Sequence, residues 1–129
     1  WIDNAWMALG KAHFYKREFF DAIETFEFVS NSYKSKEKYE AWLWLLKTYN
    51  EMGLLSSSEN YINLIKNESK FPNQFKSDFG ILHAEFYIKQ GLNEEAIKKL
   101  SEAIKLSKNK KQKSKFILSN LRMSICELG

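Results

Sequence analysis

Apolar and small residues between Trp6 and Val29 fall where two short antiparallel helices need them. Trp6, Leu9, Gly10 and His13 share one face of a first helix, and Ala22, Phe26 and Val29 share one face of a second. Arg17-Glu18 reads as a tight turn between them, with Gly10 and Ala22 where the two backbones approach most closely. The pattern then returns. Trp42, Leu45 and Tyr49 follow Trp6, Leu9 and His13 by 36 residues, and Ser58, Ile62 and Ile65 supply the second helix. After a further 38 residues come Gly80, His83, Ala84 and Tyr87, followed by Ala96, Leu100 and Ala103. Leu118, Leu121 and Ile125, another 38 residues on, open a fourth unit. Gly53 and Gly91 end the first helices of the second and third units, where a left-handed residue is needed.

Cap and breaker residues set the expected boundaries. The first helix starts at an Asp3 cap and ends near Tyr15 or Lys16; the second runs from about Phe19 to Tyr33. A polar loop leads to a third helix from about Lys38 to Met52. Ser56 with Glu59 three residues later forms a capping box that starts a fourth, ending near Asn67. Pro72 forbids helix continuation and marks a loop. The fifth helix covers about Gln74 to Gln90, the sixth runs from an Asn93 cap to about Ser107, and the seventh occupies about Gln112 to Leu128. The basic run Lys108 to Lys115 is expected to be the loop between the last two.

The order Trp, Leu-Gly, aromatic, Ala, Phe at a period near 36 resembles the tetratricopeptide repeat, a helix-turn-helix unit. The resemblance implies an all-α, right-handed superhelical solenoid of antiparallel helix pairs, about seven helices in all. It reads as one TPR-like domain over 1–129, with repeats at about 3–36, 39–72 and 77–110 and a half repeat at 115–129. Neither end carries a polar capping repeat, so the chain reads as an excerpt of a longer array.

Composition narrows the function classes. With 44% hydrophobic and 16% aromatic residues the chain can bury a continuous core, and one proline with five glycines leaves little room for strands. No run of 18 apolar residues exists to insert in a membrane. The net charge of +4 is modest, and Phe116 alone among the lysines of Lys105 to Lys115 does not make a nucleic-acid surface. That run reads as a solvated loop, with attraction to an acidic partner or an anionic membrane surface as the sharper alternative. His13 and His83 occupy slots held elsewhere by Tyr or Leu and read as packed residues, and Cys126 as a small apolar one. No catalytic set, cofactor loop or zinc spacing is evident, so an enzyme is not expected.

In the tetratricopeptide class the first helices line a concave face. Positions opposite the Trp-Leu-Gly stripe are therefore expected to form a partner-binding groove: Asn4, Met7, Lys11, Phe14 and Tyr15 in the first unit; Glu40, Leu43, Lys47 and Asn50 in the second; Asp78, Ile81, Glu85, Ile88 and Lys89 in the third. Apolar Met7, Phe14, Leu43, Ile81 and Ile88 suit an apolar segment of another protein, or the packing of a neighbouring repeat. Met7 and Leu43 stand where the family's carboxylate clamp has polar side chains, which argues against capture of a C-terminal tail.

Phe14 to Ile23, FYKREFFDAI, and Tyr49 to Leu55, YNEMGLL, are similar to the repeats of PorW/SprE-type lipoproteins of the type IX secretion and gliding-motility machinery. That resemblance spans Trp6 to about Leu106. It implies a non-enzymatic scaffold at the periplasmic face of the outer membrane, linking the translocon to the motor and ring complex through protein partners. A cytoplasmic adaptor built on the same repeats, or an outer-membrane assembly lipoprotein, is the alternative.

Overall fold

The computed structural model describes residues 2–110, with side chains from 5 to 106. Among them are six α-helices and no strand: α1 (Ile2–Tyr15), α2 (Phe19–Ser32), α3 (Lys36–Met52), α4 (Leu55–Lys66), α5 (Lys76–Lys89) and α6 (Asn93–Lys110). A single 3-10 turn, Asn73–Phe75, precedes α5. The all-α class is as expected; the seventh helix, Cys126 and the half repeat lie outside the described residues.

The chain divides into two compact units, 1–71 and 72–129, with Pro72 opening the second. In the first, α1 packs on α2, α2 on α3 and α3 on α4; in the second, α5 packs on α6. The pairs α1–α2, α3–α4 and α5–α6 are each joined by a turn of two or three residues with the same hydrogen bonds. Arg17, Gly53 and Gly91 have φ of 64°, 73° and 79°. Their N–H groups donate to the carbonyls of Phe14, Asn50 and Ile88. The next N–H groups, of Glu18, Leu54 and Leu92, donate to His13, Tyr49 and Tyr87, closing three Schellman motifs. The carbonyls of Glu18, Leu54 and Leu92 then accept from Ala22, Ser58 and Ala96, so one residue both ends one helix and starts the next.

These turns correct two expected caps. The Ser56–Glu59 capping box does not form: α4 begins at Leu55, its N-cap is Leu54, and no side chain caps it. Likewise Leu92, not Asn93, supplies the carbonyl that starts α6. The Schellman turn hands the chain over so tightly that the polar residues fall inside the first helical turn. At the far end α6 runs to Lys110, so Lys108, Asn109 and Lys110 are helical and not the expected loop.

The second-helix triads are buried in all three pairs: Ala22, Phe26 and Val29; Ser58, Ile62 and Ile65; Ala96, Leu100 and Ala103. Among the first helices α3 buries the expected Trp42, Leu45 and Leu46 and α5 the expected His83 and Ala84, whereas α1 differs from expectation. The stripe buried in every one is Met7-Gly10-Phe14, Leu43-Leu46-Asn50 and Ile81-Ala84, with Ile88 half-buried at its end. Trp6 and Leu9 remain 38% and 43% exposed, and Trp6 leans on Phe28 at 4.8 Å. The inward face of α1 is thus turned by one residue from the predicted one, because Gly10 sets it: a Cβ there would lie 2.5 Å from the Phe26 ring, so α1 presents Gly10 squarely to α2. In α5, Ile81 and Ala84 join Ala96, Leu100 and Ala103 in one core, with Tyr87 and Ile88 packed against it.

Candidate partner-binding surface

Most of the expected groove positions are filled by the protein itself. Met7, Phe14 and Leu43 are buried in the first unit, as are Lys47 and Asn50; Asp78, Ile81 and Glu85 are buried in the second. Their apolar character is explained by packing, since Met7, Phe14, Leu43 and Ile81 lie on the stripes just described. Lys47 reaches back to Glu51 one turn on, Nζ to Oε1 at 3.3 Å. Asn4 lies on α1, with its side chain outside the described set.

What stays open is smaller. On α1 and α3 of the first unit, Lys11, Tyr15 and Glu40 border Trp44, a residue absent from the expected groove. Trp44 is 5% exposed and anchors an aromatic cluster. It meets Phe14 edge-on at 5.4 Å and Tyr15 at 6.0 Å, and stacks on Phe26 at 5.8 Å. The Lys11 ammonium sits 5.4 Å above its ring and 4.0 Å from the Glu40 carboxylate. Tyr15 is 69% exposed and meets the Phe14 ring at a near-perpendicular 5.3 Å. The exposed Tyr15 ring, with one cation and one anion nearby, can take an apolar side chain and orient a charged neighbour. In the second unit, Ile88 is half-buried and Lys89 exposed at the end of α5.

The histidines separate. His83 is buried and stacked on Tyr87 at 4.8 Å, as a packed residue would be. His13 is not: its side chain is 27% exposed and its Nδ1 lies 2.9 Å from Glu18 Oε1. Glu18 and Asp21 stand at the start of α2, and one ligand atom from each of His13, Glu18 and Asp21 falls within 4.8 Å of the other two. No metal-binding group was expected here, because the spacing from His13 to Glu18 crosses a turn and looks like no helical motif. The signal lay in the repeats: the equivalent positions hold Tyr49 and Leu54, or Tyr87 and Leu92.

Compared with known proteins, the chain matches no family model, no curated protein and no solved structure.

Proposed function

We propose that the chain is a non-enzymatic, TPR-like repeat segment that binds other proteins, with the Lys11, Tyr15 and Glu40 surface over Trp44 as its contact point. The reading rests above all on the three-fold return of one turn geometry together with one buried triad that opens on a small residue, Ala22, Ser58 or Ala96. An array of that kind builds a framework for surface recognition and leaves its exposed side chains free to vary. Exposed Tyr15 on its aromatic bed supports a protein partner over a small molecule, since it offers an anchor without an enclosing cavity. The likeness of FYKREFFDAI and YNEMGLL to the secretion-machinery lipoproteins supports a place at the periplasmic face of the outer membrane.

A photo-crosslinking amino acid at Tyr15 in the full-length protein tests this in cells. The expected result is one defined protein adduct, absent when the crosslinker stands at exposed Asn60 on α4. Equal labelling at both positions, or none at Tyr15, overturns the contact point. Membrane fractionation of cells making the protein tests the location: recovery in the cytosol favours the adaptor alternative.

A further inference from the structure

We propose that the turn between α1 and α2 binds one zinc-class divalent cation through His13, Glu18 and Asp21. The carbonyl end of α1 brings His13 to the turn, and the first turn of α2 brings the two carboxylates. Their backbones are tied together: Glu18 N–H donates to His13 O at 2.8 Å, and Ala22 N–H to Glu18 O at 3.0 Å. The ligand atoms need only side-chain rotation to converge. His13 Nδ1 and Glu18 Oε1 are already 2.9 Å apart, and all three atoms lie within 4.8 Å of one another. Ligands in a tetrahedral zinc shell stand roughly 3.3 Å apart, given bonds of about 2.0–2.1 Å.

Three further features favour the assignment. An imidazole with two carboxylates suits zinc, cobalt or nickel, whereas calcium and magnesium want oxygen alone. Glu18 and Asp21 are exposed and His13 half-buried, which leaves room for a water as fourth ligand. Arg17, between His13 and Glu18 in the chain, lays its guanidinium over the Phe19 ring at 5.0 Å. The repeats sharpen the contrast. At the equivalent positions the other turns carry Tyr49, Leu54 and Ser57, and Tyr87, Leu92 and Glu95, so only the first turn combines a nitrogen ligand with two carboxylates. A bound ion bridges the end of α1 to the start of α2 at the one turn that lacks a glycine.

Calorimetric titration of the full chain with zinc chloride, paired with thermal melting, tests the site. One saturable site and a higher melting temperature are expected. His13→Tyr installs the residue the other repeats use, so the variant keeps its packing and its melting temperature without metal. Removing even an outer partner of a metal ligand weakens binding ~10–100-fold, so His13→Tyr is expected to weaken it by at least that factor. Glu18→Gln is expected to do the same. Cys126→Ser is expected to leave binding unchanged. Zinc binding that survives His13→Tyr, or disappears with Cys126→Ser, overturns the proposal; so does magnesium binding as tightly as zinc, which would mean only diffuse attraction to the carboxylates.

Discussion

Gly10 decides how α1 meets α2, and its substitution separates close packing from helix propensity. A Cβ at Gly10 would meet three atoms of Phe26 within 3 Å, and Phe26 is fully buried and stacked on Trp44. Overpacking costs about 1–3 kcal/mol, more than the ~1 kcal/mol that alanine returns to a helix interior. Gly10→Ala should therefore lower stability in urea unfolding by about 1 kcal/mol. Gly80→Ala, facing Ala103 Cβ at 3.2 Å, should be near neutral. Ser58 gives the opposite sign. Its hydroxyl is buried with no hydrogen-bond partner, at the slot where the other pairs carry Ala22 and Ala96. Ser58→Ala should raise stability by about 1 kcal/mol in the same assay. Tyr61 adds a pH dependence. Burial, then the charges of the Tyr49 phenolate and the Glu27 carboxylate, raise its hydroxyl from 10.0 to about 12. Between those values the unfolded chain releases a proton that the folded one keeps, so stability falls as pH rises through the window. Tyr61→Phe should flatten that part of the alkaline unfolding profile. Gly10 and the Ser58 slot were legible in the sequence as small-residue positions. The half-buried state of His13 was not, because its equivalents are tyrosines and nothing local announces that the chain returns Glu18 to its ring.

At the scale of the helix pair, the turn is the repeated unit and its conformation the constraint. A Cβ at Gly53 or Gly91 would meet nothing within 4 Å, so only the positive φ resists substitution there. Gly53→Ala should destabilise by about 1–2 kcal/mol without changing the packing, read as a shifted urea midpoint at constant slope. Arg17 already adopts this conformation at φ 64° and lays its guanidinium over Phe19. Periodicity located all six described helices to within a few residues, because apolar spacing and glycine stops are local signals. It misplaced the starts of α4 and α6, since the preceding helix end dictates them. It also chose the wrong face of α1: Trp6 and Leu9 look like core by residue type, yet the close approach at Gly10 turns Met7 and Phe14 inward.

At the scale of the whole molecule, each compact unit carries its own buried residues, and in the first of them Trp44 ties three helices together. Phe14 and Tyr15 from α1 and Phe26 from α2 all meet its ring. Trp44→Ala should cost about 3–5 kcal/mol and lower the stability of the isolated protein measured by chemical unfolding. The sequence passed over Trp44 because Trp42 occupies the repeat's signature slot, while an unrepeated aromatic has no periodic signal. One consequence of the shared turn concerns tolerance to changes in length. Twelve residues separate Gly10 from Ala22, Leu46 from Ser58 and Ala84 from Ala96, while the spacing between successive pairs drifts from 36 to 38. The drift falls in the connectors, where the 3-10 turn at Asn73–Phe75 takes up slack. Connector insertions merely postpone the next pair. One residue added beside Gly53 would swing the following helix by about 100° and carry Ser58, Ile62 and Ile65 out of the core. Such a chain can lengthen at its joints and cannot at its bends.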